Sequence, residues 1–183
     1  MKLLRPLFAV MSLLIIGSLV GCSNSPTKSA DVSGDIRKSL DQANLSNVKV
    51  SQDRDMGVVT LTGDVPNDAE KARAESIAKS LAGTQVVSNQ IAIRPEGAES
   101  DAKKIDSDLD KAIEKNLDAV LVQHKLNKDV SYDVKNGVVT LKGDVVSASR
   151  RTQVEKLATT VPNVKQVVNE LQVKGQKASS TKS

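Results

Sequence analysis

The fold is decided by one stretch that occurs twice, as Gly57-Val58-Val59-Thr60-Leu61-Thr62-Gly63-Asp64-Val65 and as Gly137-Val138-Val139-Thr140-Leu141-Lys142-Gly143-Asp144-Val145. The copies lie 80 residues apart, and the same offset continues without gaps through the residues that follow. Solenoid repeats are shorter, at about 20–50 residues, and need three or more units to bury a continuous core. Two copies at this longer spacing therefore predict two domains of one fold, each with its own core.

The second copy shows the order of elements most clearly. Ser107 followed by Asp110 is typical of a helix start, and Asn136-Gly137 is typical of a two-residue hairpin turn. Ser147, which corresponds to Asn67 in the first copy, is expected to cap a second helix that precedes a last strand over 167–173. The apolar residues of the first predicted helix fall on one face, namely Leu109, Ile113, Leu117, Val120 and Leu121. The pattern predicts the order α-β-β-α-β.

We therefore predict an α+β fold of two tandem domains, each a three-stranded mixed sheet covered by two helices around an aliphatic core. The predicted domains span 31–94 and 105–174, with a linker over 95–104. The linker contains Pro95 and Gly97, which leaves open whether the domains pack together or move independently. The first hairpin lacks the Asn-Gly turn, so a longer loop is expected there.

The N-terminus carries a secretory signal. Residues 1–21 combine Lys2 and Arg5 with an apolar run too short to span a bilayer as a helix. The run ends in Leu19-Val20-Gly21-Cys22, which resembles the lipobox of bacterial lipoproteins and uses the only Cys in the chain. We predict cleavage before Cys22, lipidation of Cys22, a flexible tether over 22–30 and a disordered tail over 175–183.

The α-β-β-α-β unit bearing Gly-Val-Val-Thr-Leu-x-Gly-Asp-Val, with Val-x-Asn downstream, resembles the BON domain, named for bacterial osmotically inducible and nodulation proteins. A lipobox with two such domains is similar to dual-BON lipoproteins of the bacterial outer membrane. The resemblance implies a non-enzymatic protein that binds phospholipid and supports envelope integrity under stress. It also implies lipid anchoring in the outer membrane facing the periplasm, with Ser23 rather than Asp after the Cys.

The composition argues against several other classes. Without Lys2 and Arg5 the chain has 24 basic and 22 acidic side chains, and Tyr132 is the one aromatic residue outside the predicted signal. Nucleic-acid binding, which needs a basic face and stacking aromatics, is not expected. The single His124 has no nearby partner for nucleophilic catalysis or for zinc, so we predict no enzyme activity, no cofactor and no metal.

The remaining candidates lie on the surface of the second domain. Its cations cluster around the start of the second helix, and we predict that they contact anionic phospholipid: Lys142, Arg150, Arg151 and Lys156. A solvated helix face is the alternative reading of the same residues. Four glycines are interpreted as turn positions with positive φ: Gly57, Gly63, Gly137 and Gly143. Gly143 is expected to end the second strand of the second domain. The alternative function is a protein-binding adaptor that docks partners on an exposed sheet face or edge strand.

Overall fold

The computed structural model describes residues 28–174. The predicted signal peptide, Cys22, most of the predicted tether and the predicted tail lie outside the described residues. Within them the α-β-β-α-β order is confirmed twice, and the fold is mixed α and β with four helices.

Domain 1 contains two helices and a three-stranded sheet. In chain order its elements are α1 (Ser33–Gln42), β1 (Lys49–Asp53), β2 (Val58–Thr62), β3 (Asp64–Val65), α2 (Asp68–Ala82), β4 (Val86–Asn89) and β5 (Ala92–Ile93). β2 is central, antiparallel to β1 and parallel to β4, while β3 and β5 form a short parallel pair beyond them.

Domain 2 repeats this arrangement. Its elements are α3 (Glu99–Gln123), β6 (Val130–Lys135), β7 (Val138–Val145), α4 (Ala148–Thr159), β8 (Gln166–Asn169) and β9 (Gln172–Val173). β7 pairs antiparallel with β6 and parallel with both β8 and β9. The mixed sheet expected from the sequence is thus present in both domains.

Local sequence signals explain most element boundaries. Asn136 and Gly137 have φ values of 52° and 81°, the left-handed pair that a tight hairpin turn requires. The first hairpin has a longer loop, as predicted, because strands β1 and β2 are separated by residues 54–57. Both expected caps form: the Asn67 side chain accepts a hydrogen bond from the Glu70 N–H, and the Ser147 side chain from the Arg150 N–H.

One predicted strand end is wrong. Gly143 was expected to end the second strand of domain 2, but β7 continues through it to Val145. Gly143 has a φ of 121°, and a Cβ there would overlap the carbonyl oxygen of Asp129. The glycine therefore lets the residue that precedes β6 lie close to β7 while the strand continues. Gly63, with a φ of 115°, approaches Asn47 in the same way.

Two further boundaries differ from the prediction. α3 begins at Glu99 rather than at Ser107, so only residues 95–98 of the expected linker are non-helical. Glu99 and Asp101 lie in the first turn, where acids interact favourably with the helix dipole. The last strand of each domain, predicted as continuous, is broken into β4 and β5 and into β8 and β9.

Both cores are aliphatic and lie between the helices and one sheet face. Alternate strand residues such as Val59 and Leu61, and Val139 and Leu141, point into them and are fully buried. Leu109, predicted on the core face of α3, is instead 36% exposed. The Asp110 carboxylate that follows it binds the turn at the end of the β6–β7 hairpin, so Leu109 lies where the sheet ends.

The faces of the two sheets without helices pack against each other. Val58 of β2, Val138 of β7 and Val168 of β8 form one buried cluster, with Met56 against it, and each of the three is at most 4% exposed. The linker composition left packing or independent motion open, and the structure shows packing. Burial of these valines against each other favours the packing, because each removes apolar surface from water.

A glutamine side chain joins the neighbouring edge strands of the two domains. Gln166 Nε2 donates to the Val87 carbonyl (2.7 Å), and Gln166 Oε1 accepts from the Asn89 N–H (3.1 Å). These are the two backbone groups that a pairing strand would use, so Gln166 occupies the edge of β4. The Asn136 side chain donates to the Gln90 carbonyl (2.8 Å) and extends the contact.

Candidate functional site

The residues that repeat most faithfully hold the fold together. In each copy the Asn of the Val-x-Asn motif donates to a helix carboxylate, Asn89 to Glu75 (2.7 Å) and Asn169 to Glu155 (2.8 Å). Its Oδ1 accepts from the backbone N–H two residues on, at the break in the last strand. Hydrogen bonds from Lys79 and Asn89 lower the pKa of Glu75. The Asn and the Glu both recur at the offset of 80 residues, and this recurrence is the sequence signal for the hydrogen bond between them.

Metal sites in proteins are built from sets of ligating side chains. Within 28–174 no group of three or more His, Cys, Asp or Glu side chains is placed to hold a metal ion. His124 lies at the end of α3. In this same range no helix combines the length and apolarity needed to cross a membrane.

The four predicted phospholipid-contact cations do not form one patch. Arg150, Arg151 and Lys156 lie on α4, whereas Lys142 lies on β7. Leu141 points into the core, so the exposed Lys142 points to the opposite side of the sheet from α4. Lys142 lies near the carboxyl of Glu170 instead. Burial raises the pKa of Glu170, and the charge of Lys142 partly opposes that rise.

The three α4 cations also point in different directions. Arg150 and Arg151 are about 100° apart around the helix and flank its buried stripe. Arg151 donates to the Asn169 carbonyl (3.1 Å) and Arg150 to the Gln153 side chain (3.1 Å). Lys156 is exposed on the outer face of the helix. The four cations lie close together in the sequence, which suggested a cluster. The geometry of the helix and the strand points their side chains in different directions.

The chain enters the described region beside the first hairpin loop. The Ser29 N–H donates to the Arg54 carbonyl (2.8 Å), and Arg54 Nε donates to the Ser29 carbonyl (2.7 Å). The Ala30 carbonyl accepts from the side chains of Gln52 (2.7 Å) and Gln85 (3.1 Å). Ser29 and Ala30, at the end of the predicted tether, thus find in these groups the partners that backbone groups otherwise find in water.

In domain 2, the residues between β8 and β9 and the start of β9 lie next to the first hairpin loop. Gln172 Nε2 lies 3.8 Å from the sulfur of Met56 in the first hairpin loop. Burial, and secondarily the charge of Asp53 across the domain boundary, raise the pKa of Glu170. We call this end of the molecule, where residues 54–57 meet residues 170–172, the tether end. The opposite end, at the Asn136-Gly137 turn, is called the far end.

The tether end carries the start of α4 and the end of α3. β7 runs towards it, so Val146 follows there and is 72% exposed. Val130 pairs with Gly143, which places the connection from α3 at the same end, with Val122 55% exposed. Several cations there have no salt bridge within 4.0 Å to any described residue: Lys125, Lys128, Lys142, Arg150 and Lys174. Acids such as Asp129 and Asp144 lie among them, so the net charge is modest.

A family comparison identifies both repeats. The BON domain profile matches residues 28–95 and 106–175. The chain belongs to the BON domain family. The first turns of α3, up to Ile105, thus lie between the two matched BON segments.

Individual relatives agree with this assignment. The chain is 30% identical over 137 residues to osmotically-inducible protein Y of Escherichia coli K12, covering 74% of this chain and 67% of that one. It is 31% identical over 132 residues to an uncharacterized protein in the gshII 5' region of Anaplasma centrale, covering 71% and 82%.

Among solved structures, one similar chain is the C-terminal domain of CdsD, a structural protein of the type III secretion system of Chlamydia trachomatis. The match covers 80% of this chain and 99% of that one, at 15% identity and a TM-score of 0.32. A likeness at this level adds nothing to the BON assignment.

Proposed function

We propose that this protein is a lipid-anchored envelope protein whose tether end contacts phospholipid and which supports outer-membrane integrity under stress. The BON family and the osmotically-inducible relative associate the chain with an envelope or stress-related role and suggest non-enzymatic work. The anchor, the phospholipid contact and the periplasm-facing outer-membrane location are the finer part of the proposal.

The anchor follows from the lipobox resemblance at Cys22. Ser29 is held against Arg54, and the seven residue steps between Cys22 and Ser29 span at most about 25 Å. A lipid on Cys22 would therefore keep the tether end within that reach of the membrane surface. Two or more acyl chains attach a protein durably, at about 0.8 kcal/mol per buried methylene.

One observation carries the phospholipid proposal: the chain enters at the end of the molecule that also exposes Val122, Val146 and unpaired cations. Each cation near an anionic surface contributes about 1 kcal/mol, and exposed valines add apolar contact. Of the residues singled out from the sequence, Arg150 and Lys142 lie at this end, and Lys156 lies two turns along α4. The interspersed acids make the contact weak by itself, so the lipid supplies most of the affinity.

Vesicle co-sedimentation of the unlipidated fragment 23–183 tests the contact. We expect binding to phosphatidylglycerol vesicles and little binding to phosphatidylcholine vesicles at low salt. Arg150→Glu with Lys125→Glu should lower binding at least tenfold. The control, Lys103→Glu with Lys104→Glu, makes the same charge change on the first turns of α3 at the far end and should lower it much less.

Equal losses in both double variants would contradict a specific tether end. Absence of binding by the unchanged fragment would contradict phospholipid contact while leaving the anchor untouched. The anchor has its own test: Cys22→Ala should abolish acyl labelling in cells and leave the precursor uncleaved, and normal labelling would disprove it.

The alternative function, a protein-binding adaptor, has fewer free docking surfaces than the sequence suggested. The sheet faces around Val58, Val138 and Val168 cover each other, and Gln166 occupies the β4 edge, so neither is free for a partner. The edges of β1 and β6 pair with no other strand of the described chain. Crosslinking in cells to a single protein in fixed stoichiometry would favour docking on these edges over lipid contact.

A further inference from the structure

A cleft between the two domains lies at the far end, away from the tether. It has a volume of about 320 Å³ and is lined by α2, the end of β4 and the start of β8. Its lining residues are Lys71, Glu75, Lys79, Asn89, Val138, Lys165 and Gln166. Three lysines and one glutamate thus face a space at the lower end of the range for small-molecule sites, about 300–1,000 Å³.

Two of these lysines lack an acidic partner. Lys79 forms a salt bridge with Glu75, the single acid in the lining. Lys71 donates to the Ile91 carbonyl (2.7 Å), a neutral acceptor, and Lys165 has no salt bridge within 4.0 Å among the described residues. Burial, followed by the charge of Lys165, lowers the pKa of Lys71, and the charges of Asp106, Asp68 and Glu75 partly oppose this shift. Two ammonium groups, one from each domain, therefore oppose each other across the boundary.

The backbone and the side-chain carbons of Lys165 both contact the hairpin turn at Gly137. Its N–H donates to the Gly137 carbonyl (2.8 Å), and its side-chain carbons lie against Gly137, where a Cβ would come within 3.0 Å of them. The side chain therefore extends over the hairpin turn at the mouth of the cleft.

The opposed pair is not inherited from the repeat. At the offset of 80, Lys71 corresponds to Arg151 and Lys165 corresponds to Gln85. Gln85 is neutral and donates to the Ala30 carbonyl. The corresponding pair, Arg151 and Gln85, therefore contains only one cation. Like charges across a domain boundary weaken its packing, and a bound anion removes that penalty.

We propose that this cleft binds the phosphate group of a small soluble compound, inorganic phosphate or a phosphomonoester, between Lys71 and Lys165. A compact dianion matches two ammonium groups, and the volume of the cleft fits a small compound. The far end is opposite to the end that the chain enters, which favours a soluble ligand over a lipid headgroup. The ligand would bridge the two BON domains and stabilise their packing. This site is independent of the phospholipid contact proposed above.

Isothermal titration of fragment 23–183 with inorganic phosphate at pH 7.5 tests the site, with sodium chloride added to keep ionic strength constant. We expect saturable binding and a rise in the unfolding temperature that chloride does not reproduce. Lys165→Gln should weaken the affinity about tenfold or more, since it removes a charged hydrogen-bond donor. Lys115→Gln removes an exposed lysine of α3 that does not line the cleft and is the control, with unchanged affinity.

The fold of each variant is checked by its circular dichroism and by its unfolding without phosphate. The ammonium of Lys71, followed by NMR, should gain pKa when phosphate binds. Absence of phosphate-specific binding, or equal loss in both lysine variants, would overturn the proposal. Binding to phosphatidic acid vesicles that Lys165→Gln abolishes, without binding of free phosphate, would overturn the assignment to a soluble ligand.

Discussion

Gly143 shows how a single missing side chain allows two backbone segments to approach closely. Its φ of 121° and the nearby carbonyl of Asp129 both exclude a Cβ. Gly143→Ala should therefore lower the free energy of unfolding by about 2–3 kcal/mol, from backbone strain together with the steric overlap. Urea denaturation measures the change.

Gly34 supplies the matched control for that substitution. It lies in α1 with nothing within 4 Å of its absent Cβ. Gly34→Ala should leave stability unchanged or raise it by up to about 1 kcal/mol, because alanine favours the helix. A loss in this variant similar to that of Gly143→Ala would mean that close approach is not the cause.

Glu170 should make stability depend on pH. Burial, with Asp53 across the boundary, raises its pKa above the ordinary 4.5, and Lys142 only partly opposes them. The folded state then holds the proton more tightly than the unfolded state, so the ionised carboxylate destabilises the fold above the raised pKa and not below 4.5. Glu170→Gln should raise the free energy of unfolding by about 0.5 kcal/mol at pH 7.5 and not at pH 4.

Glu75 has the opposite sign and serves as the comparison. Hydrogen bonds from Lys79 and Asn89 lower its pKa, so its ionised form stabilises the fold above the ordinary value and that contribution is lost as pH falls through the lowered pKa. Glu75→Gln should therefore destabilise the protein at pH 7.5. Equal trends for both variants in pH-dependent urea melts would contradict these assignments.

Among the elements, strand β4 depends on a side chain from the other domain. Gln166→Val should leave the Asn89 N–H and the Val87 carbonyl without their partners and lower the free energy of unfolding by about 1–3 kcal/mol. Hydrogen exchange at the Asn89 amide should speed up at the same time. Gln172→Val, which removes only the 3.8 Å contact with Met56, should change neither measurement.

The sequence predicts the elements better than their ends. The Asn136-Gly137 turn and the caps at Asn67 and Ser147 are local interactions, so a few neighbouring residues specify them. The start of α3 was misplaced because Ser107 has the residue type of a cap, while nothing nearby stops the helix that already begins at Glu99. The need for glycine at position 143 depends on the carbonyl of Asp129, which lies 14 residues away in the chain.

The candidate site was less predictable than the fold. Lys142 and Arg150 are eight positions apart, yet strand alternation sends one to each side of the sheet. The cleft at Lys71 and Lys165 joins residues 94 positions apart and exists only because the domains pack. Spacing along one chain contains no information on that packing.

For the whole molecule, the buried cluster between the sheets should determine whether the domains act as one unit. Val168 is 1% exposed, and Val168→Lys places a charge in that cluster. We expect the domains to separate, with a larger radius of gyration in solution scattering and a lower unfolding temperature. Val146→Lys, at a position 72% exposed, should change neither.

Gln166, whose side chain covers the edge of β4, is synthesised well after domain 1. Domain 1 is complete at about residue 94, whereas Gln166 follows 72 residues later, a delay of about 4–14 s at common rates of synthesis. During that time the last strand of the first domain offers open backbone groups to any extended chain, including the same domain of a sister molecule. Exchange of domains between two copies is therefore a misassembly that the open edge of β4 permits, and fast arrival of the second domain protects against it.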